Sequence, residues 1–229
     1  HQEKLTLVQQ KQNIKGFTIL ELLVVLSIVG IVAGLGFPKF TKWNMDRLTR
    51  AQTEKIASIF TLASAQVERG IYPYVRIEFE TNKLITAKGI DATTLSNNLN
   101  SGNPPSCKKT DMNGSEEISS LELHKNVYVF HLTTNAAVCF SKGGKYFAKL
   151  ESAKSQLNVK LDNGATETNN VVVICHIRVE KCDPISKTFE PIQTPLKEGN
   201  FPVYLVKYSR FGIINKYKYS YAQDKWINQ

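Results

Sequence analysis

The longest run of apolar residues lies near the start of the chain. Residues 17–37 read FTILELLVVLSIVGIVAGLGF and contain a single charged residue, Glu21. As a helix rising 1.5 Å per residue, this run is about 30 Å long, which matches the hydrocarbon core of a membrane. It is longer than the apolar core of a secretory signal peptide, and no small-residue cleavage pattern follows it. We therefore predict a transmembrane helix over residues 17–37.

The next segment has an amphipathic helical pattern. Between Pro38 and Gly70 apolar residues recur at spacings of three and four, with charged residues largely between them. Gly70 and then Pro73 are typical signals of a helix end. We predict that residues 38–70 continue the helix and offer an apolar stripe to a globular head. The apolar positions are Phe40, Met45, Leu48, Ile56, Ile59, Phe60, Ala63 and Val67.

After Gly70 the pattern changes to short alternating or β-branched segments, which are typical of strands. Residues 71–229 are therefore predicted to form a β-rich antiparallel head, and the fold class is α+β. Residues 97–120 are polar and contain two adjacent prolines, so they are predicted to form a long surface loop. Turns are predicted at residues 141–144, 162–164 and 209–212. The predicted strands are residues 74–80, 127–133, 137–140, 145–150, 157–161, 171–180, 203–208 and 213–219.

Length, composition and charge narrow the class of protein. The chain has 229 residues, enough for one globular domain and a substantial extra element. Its formal charge is +9, which favours an anionic partner, and nucleic acid, acidic polysaccharide and anionic lipid all remain open. The sequence contains four histidines and lacks the nucleophile-elbow, zinc-protease and phosphate-loop motifs. We therefore predict no enzyme activity, no catalytic residues and no cofactor.

Glu21 requires a partner. A carboxylate one turn inside a membrane span costs on the order of 2.5 kcal/mol or more, so it is rarely found there alone. The residues around it, KGFTILELLV at positions 15–24, combine a basic residue, glycine, an aromatic residue, glutamate and an unbroken apolar run. This segment resembles the prepilin cleavage and methylation motif of type IV pilins and pseudopilins.

The resemblance implies a processing pathway. Residues 1–16 would be a leader peptide, cut off by a prepilin peptidase between Gly16 and Phe17, and Phe17 would then be N-methylated. The new amino group of Phe17 would give Glu21 an opposite charge, in the same subunit or in a neighbour. Pro38 lies where the family has a helix-bending proline, since its ring and missing N–H weaken the helix before it.

The resemblance also implies location, partners and function. The protein would cross the bacterial inner membrane once and then enter a pilus or pseudopilus at the periplasm or cell surface. Its partners would be other pilin subunits, the prepilin peptidase, the pilus assembly platform and the membrane. We predict a minor pilin; the alternatives are a DNA-binding minor pilin for DNA uptake, a minor pseudopilin of type II secretion, and an abundant major pilin.

A narrower resemblance concerns the head. A helix with Ala57, Ala63, Ala65 and Gln66, a Cys-Phe-x-x-Gly segment at residues 139–143 and a Ser-Arg-x-Gly turn at residues 209–212 are similar to the GspH/FimT group of minor pilins. The sequence departs from that group in two long insertions. It also carries Asn215, Lys216 and Lys218 where the group has an arginine-rich strand end.

The four cysteines allow three pairings, and the outward location permits disulfides. Cys175 and Cys182 could close a hairpin, which would leave Cys107 to join Cys139. Free thiols are an alternative. A metal site at Cys175, His176 and Cys182 is another, but there is no C-x-x-C pair and His176 falls on the opposite strand face from Cys175. We predict disulfides and no metal.

Cations alternate with aromatic residues in the last part of the chain, between residues 207 and 226. This pattern is typical of phosphate contacts combined with base stacking, so DNA is a possible partner. The alternative is an antiparallel strand pair with its aromatics in the sheet and its lysines in solvent. The candidate DNA contacts are Lys207, Arg210, Lys216 and Lys218.

Overall fold

The computed structural model describes residues 16–80, 83–105, 107, 113–131, 137–144, 159–160, 166–167, 170–177, 201–223 and 225–229. The chain divides into two compact units, His1–Lys42 and Trp43–Gln229. The fold is α+β, with a long N-terminal helix followed by antiparallel sheets, as the sequence predicted.

The helix α1 runs from Ile19 to Glu68, two residues inside the predicted start. The chain leaves the helix through Gly70, whose φ of 72° lies in the left-handed region that glycine adopts without cost. The Gly70 N–H donates to the Val67 carbonyl and the Ile71 N–H donates to the Gln66 carbonyl, at 3.0 and 3.1 Å. These two bonds form a Schellman motif, which satisfies the last carbonyls of the helix. The predicted helix end is thereby confirmed.

The described part of the head contains three sheets, all antiparallel. The first sheet has the strand order β3-β2-β1-β5, the second β11-β10-β9-β8-β4, and β6 pairs with β7. A short helix, α2, lies between β2 and β3, and a 3-10 turn at Lys142–Gly144 follows β5. The bounds are β1 Tyr74–Phe79, β2 Leu84–Ile90, α2 Ala92–Asn100, β3 Glu116–Glu122, β4 Val127–His131, β5 Val138–Ser141, β6 Val159–Lys160, β7 Thr166–Glu167, β8 Val171–His176, β9 Val203–Tyr208, β10 Ile214–Ser220 and β11 Lys225–Asn228.

Phe60 joins α1 to both large sheets. Its side chain is fully buried and belongs to one core cluster with residues of α1 and of both sheets. Its ring makes edge-to-face contacts with Phe79, Phe140 and Tyr208, at centroid distances of 6.4, 6.5 and 5.4 Å. Aromatic pairs of this geometry contribute about 0.5–1.5 kcal/mol each beyond the area they bury. The second half of α1 is therefore the central element of the head's core.

The loop predicted over residues 97–120 is wrong at both ends. Residues 97–100 form the end of α2, and residues 116–120 form most of β3. Asp91 caps α2, because its carboxylate accepts hydrogen bonds from the Thr94 N–H and hydroxyl at 2.9 and 2.7 Å. Neither element has an apolar pattern: α2 buries no residue and β3 is largely exposed. Local capping and edge pairing stabilise them, so the polar composition was misleading.

Most of the predicted strands correspond to strands of the structure, β9 with the predicted bounds and the others with shifted ends. Five correspond to β1, β4, β5, β9 and β10. Residues 159–160 of the predicted strand 157–161 form β6, and residues 171–176 of the predicted strand 171–180 form β8, while 157, 158, 161 and 178–180 lie outside the described residues. The predicted strand at residues 145–150 and the turn at 162–164 lie outside the described residues. The strands β2, β3, β7 and β11 were not predicted.

A buried ion network lies on the first sheet. Arg76 and Glu78 of β1 are 2% and 3% exposed and form an ion pair with each other. Lys88, directly opposite Arg76 on β2, places its Nζ 2.9 Å from the second Glu78 carboxylate oxygen. Two like charges facing each other across a strand pair repel. Glu78 bridges them and so makes the arrangement stable.

The titration of Glu78 follows from this environment. Burial by itself opposes ionisation, but the hydrogen bonds from Lys88 and Arg76 and their charges outweigh it and hold the pKa of Glu78 below its usual value. A lowered folded-state pKa stabilises the fold fully above the unfolded value, about 4.3, and the stabilisation is lost as pH falls through the folded-state pKa.

A Glu78→Gln head, residues 43–229, is therefore expected to be less stable than the parent at pH 7, by roughly 1.5–3 kcal/mol for a lost charged hydrogen bond. The difference is expected to shrink as the pH falls below the unfolded value, about 4.3, and through the lowered pKa of Glu78, since the parent's Glu78 then also becomes neutral. Urea unfolding of both proteins between pH 3 and pH 7 measures this difference. A difference that is constant with pH would contradict the proposed linkage.

Candidate processing and assembly site

The predicted scissile bond lies just before α1. Gly16 and Phe17 are exposed and outside the helix, and the Phe17 side chain is 81% exposed. A Cβ added at Gly16 would meet no atom of the described residues within 4 Å. A peptidase can therefore reach the backbone between Gly16 and Phe17 without unwinding a helix.

Thr18 fixes where the helix begins. Its carbonyl accepts the first helical hydrogen bond, from the Leu22 N–H at 3.1 Å, and its hydroxyl accepts a bond from the Glu21 N–H at 3.2 Å. This is the N-cap arrangement, in which a side-chain oxygen satisfies one of the free N–H groups of the first turn. Glu21 is consequently the third residue of the helix, where the positive end of the helix dipole stabilises its negative charge.

Sequence reasoning missed Thr18 as a cap. The signal was present, since threonine followed three residues later by glutamate is the capping-box pattern. Thr18 and Glu21 are thus joined by a capping hydrogen bond, which is independent of the charge argument that identified Glu21.

The first part of α1 has apolar side chains on all its faces. Within residues 19–34, the large apolar side chains are exposed by 50% or more, from Val24 at 50% to Ile19 at 83%. The Ser27 hydroxyl, one of the few polar groups here, donates to the Leu23 carbonyl at 2.8 Å and is satisfied within the helix. A helix that is apolar all round needs lipid or other helices around it, and Glu21 is its one charged group.

No single helix in the described part of the chain is long and apolar enough to cross a membrane. The pair of segments Ile19–Gly34 and Lys39–Glu68, taken together across a bend, passes that test by length and composition. Pro38 lies in the interval between the two segments.

Comparison with protein families decides what this N-terminal arrangement is. Residues 11–37 match the prokaryotic N-terminal methylation motif. The match covers the predicted cleavage position, Glu21 and the whole apolar run, and it confirms the resemblance to type IV pilins and pseudopilins. The methylation motif supports a type IV pilin-like or pseudopilin subunit, a structural protein, anchored in the membrane and assembled into pili. It also implies processing by a prepilin peptidase and assembly with other pilin subunits.

The comparisons extend no further along the chain. No curated protein and no solved structure matches it. The narrower resemblance of the head to the GspH/FimT group is not confirmed and stays a prediction.

The disulfide prediction is confirmed for one pair. Cys107 and Cys139 are joined, with their Cα atoms 5.8 Å apart, and the bridge ties the segment after α2 to β5. Cys175 is also disulfide-bonded, which removes its thiolate as a metal ligand. Cys182 lies outside the described residues.

The four candidate DNA contacts do not share one surface. Lys216 and Lys218 lie on the face of β10 turned towards α1, while Lys207 of β9 lies on the opposite face of the same sheet. The Lys216 ammonium is 2.6 Å from the Glu54 carboxylate, and the Lys218 ammonium is 2.7 Å from Asp46. Both acids belong to α1, so these lysines bind the helix to the sheet.

Arg210 differs from these lysines. It is exposed in the turn between β9 and β10, and its guanidinium carbon lies 4.6 Å from the centroid of the Phe211 ring. The aromatic residues between positions 207 and 226 lie as the alternative, an antiparallel strand pair, predicts. Tyr217, Tyr219 and Trp226 are buried in the second sheet.

DNA binding stays a prediction, and the structure lowers the salt dependence that we expect of it. Because Lys216 and Lys218 are paired with acids and Lys207 lies on the opposite face of the sheet, we expect one neutralised phosphate, at Arg210, and a slope of log affinity against log salt near −1. Titration of the head with duplex DNA at several salt concentrations measures this slope. Arg210→Ala is expected to flatten it, whereas Lys216→Ala is expected to leave it unchanged. An equal effect of both variants would show that the ion pairs open on binding.

Proposed function

We propose that the protein is a minor subunit of a type IV pilus. It is made as a prepilin, cut between Gly16 and Phe17, N-methylated at Phe17 and assembled through residues 17–37. The observation that carries the proposal is the methylation motif at residues 11–37, which spans the start of a helix that Thr18 caps and whose first part is apolar apart from Glu21 and Ser27. The resemblance of the head to the GspH/FimT group of minor pilins supports a minor rather than a major subunit.

Cleavage creates a charge that the chain must balance. The new α-amino group of Phe17 is cationic at neutral pH and lies one residue before the Thr18 cap, at the positive end of the helix dipole. An ammonium is unfavourable there, and more so in lipid. Glu21, in the first turn, supplies the opposite charge, either within the subunit or to the amino group of its neighbour.

Maturation and copy number are measured on protein from its native membranes. Intact mass and N-terminal sequencing are expected to show a chain that begins with N-methylated Phe17. Quantification in sheared filaments is expected to give far fewer copies than the main subunit. A chain that begins at another residue would overturn the processing proposal, and equal copy numbers would overturn the minor-subunit proposal.

Glu21→Ala is expected to separate membrane insertion from assembly. Insertion should be at least as efficient as in the parent, because a charge that costs about 2.5–3.5 kcal/mol in the bilayer is removed. Incorporation into filaments should fall by at least about tenfold, since the Phe17 ammonium then lacks its partner. Quantitative immunoblots of membranes and of sheared filaments measure the two steps.

Two further variants test the cause of this loss. Glu21→Gln keeps the size of the side chain without its charge and should behave like Glu21→Ala. Ser27→Ala removes a polar group that is satisfied within the helix, so incorporation should stay at the parent level. Normal incorporation of Glu21→Gln would show that pairing with the amino group is not what assembly requires.

A further inference from the structure

One asparagine of the chain stands in the pattern that N-linked glycan transfer requires. Asn113-Gly114-Ser115 is the one place in the sequence where an asparagine is followed, two positions later, by serine or threonine with a residue other than proline between. This tripeptide precedes β3 directly. It plays no part in the N-terminal processing described above.

The structure presents the Asn113 side chain to solvent. Asn113 and Gly114 are exposed and form a turn, and Ser115 is half-buried. Asn113 contacts α2 through its backbone, since its carbonyl accepts a hydrogen bond from the Asn98 side-chain amide at 3.4 Å. The Asn113 side-chain amide itself makes no hydrogen bond to any described residue. Its Nδ2 is therefore accessible to an enzyme.

Gly114 is the residue that this turn needs for structural reasons. Its φ is 73°, and a Cβ there would lie 2.5 Å from the Thr94 methyl carbon of α2. Glycine thus fits a close approach between the turn and α2. The contacts of the turn explain Gly114, and asparagine is itself favoured in turns, but the turn gives no reason for the serine at position 115.

A separate observation places this turn in the right compartment. The Cys107–Cys139 disulfide lies in the same head, and Cys107 is six residues before Asn113. Disulfides persist in compartments outside the reducing cytosol. The methylation motif likewise implies a head on the outer side of the inner membrane, the side on which secreted sequons are glycosylated.

We propose that Asn113 is an N-glycosylation site, and that the donor is a sugar linked through pyrophosphate to a membrane lipid. The Asn113 Nδ2 attacks the anomeric carbon of the sugar, and a carbon–nitrogen bond forms. The bond between the anomeric carbon and the phosphate oxygen breaks, and the lipid pyrophosphate leaves with the electron pair. The amide nitrogen gives up one proton to a base of the transferase. No oxidant or reductant is needed.

A glycan at Asn113 would protect an edge of the first sheet. The neighbouring strand β3 is the outermost in the order β3-β2-β1-β5, so one side of its backbone has no strand partner among the residues that the structure describes. Exposed edges are templates for pairing with other chains, and proteins block them with charge or covering groups. β3 carries Glu116, Glu117 and Glu122, and the glycan would add bulk where the strand begins.

The test is peptide mass spectrometry on the full protein purified from the cells that naturally make it. Trypsin releases residues 110–125, which contain the tripeptide and no part of the N-terminal motif. We expect this peptide to carry the added mass of a glycan and to release sugar fragment ions. The readout does not depend on cleavage at Gly16, so it is separate from the proposed maturation.

Three variants assign the modification. Asn113→Gln and Ser115→Ala should each remove the added mass completely, whereas Ser115→Thr should keep it, because threonine preserves the acceptor pattern. An unmodified peptide in the parent protein would overturn the proposal. A glycan that persists in Asn113→Gln would do the same, as would a gain of only one mass unit, which indicates deamidation at the Asn-Gly bond.

Discussion

A Gly16→Val protein is expected to accumulate in the membrane as the uncleaved precursor. In proteins with this motif the residue before the scissile bond is glycine, and a branched side chain should not fit the peptidase. The described part of the chain tolerates the change, since a Cβ at Gly16 meets none of its atoms within 4 Å and the backbone there is not in the left-handed region. The loss of cleavage would therefore report recognition by the peptidase and not damage to the substrate.

The measurement is the ratio of precursor to mature protein, read from intact mass after equal expression times. We expect nearly complete conversion of the parent, and almost none of Gly16→Val. Gly30→Val is the matched control: Gly30 also has open space around it but lies within α1, away from the bond. It should mature like the parent. Normal maturation of Gly16→Val would place the cleavage elsewhere.

The N-terminal segment, residues 16–37, could be predicted from sequence because its signals are local. The apolar run, Glu21 and the glycine-aromatic pair at residues 16 and 17 lie within a short stretch, and each has a direct physical meaning. The start of the helix was misplaced by two residues, although Thr18 and Glu21 carry the capping-box pattern. The error arose because the apolar pattern, which ignores backbone N–H groups, was used to place the helix start.

The head was harder to predict, because much of it is stabilised by non-local contacts. The edge strand β3 is largely exposed and its pattern is polar, so nothing in its own residues distinguishes it from a loop. It forms because β2 supplies its hydrogen-bond partners, with Gly89 opposite Glu116. Strand propensity depends strongly on such partners, and a single sequence does not display them.

The segment of alternating cations and aromatic residues, 207–226, shows that the sequence likewise does not display the non-local partners of a candidate site. Lys216 and Lys218 appear in the sequence as free basic residues, but their partners, Glu54 and Asp46, are more than 160 residues away along the chain. The alternation along β10 correctly separates the aromatic face from the lysine face. It does not show that the lysine face meets an acidic part of α1. The charge pattern therefore identifies the basic residues, but it does not show that Lys216 and Lys218 are already paired with acids.

Gly212→Ala is expected to destabilise the head strongly. Gly212 closes the turn between β9 and β10 with a φ of 80°, and its N–H donates to the Ser209 carbonyl at 3.0 Å. An added Cβ would lie 1.7 Å from the Ser64 hydroxyl oxygen and 2.7 Å from the Ser64 Cβ, on α1. The left-handed backbone costs about 1–2 kcal/mol for an L-residue, and the overlap costs about 1–3 kcal/mol. The combined loss is about 2–5 kcal/mol in the free energy of unfolding.

A control within the same chain separates the two causes. Gly102 has nearly the same φ, 75°, but no atom of the described residues lies within 4 Å of an added Cβ, so Gly102→Ala should show only the backbone cost of about 1–2 kcal/mol. In a Ser64→Gly background, Gly212→Ala should lose only a similar amount, because both overlapping atoms are gone; the background itself costs about 1 kcal/mol. Urea unfolding of the head gives these values as a double-mutant cycle. Equal losses for Gly212→Ala and Gly102→Ala would show that the turn does not press against α1. That result would remove Ser64 as the reason why this turn needs glycine.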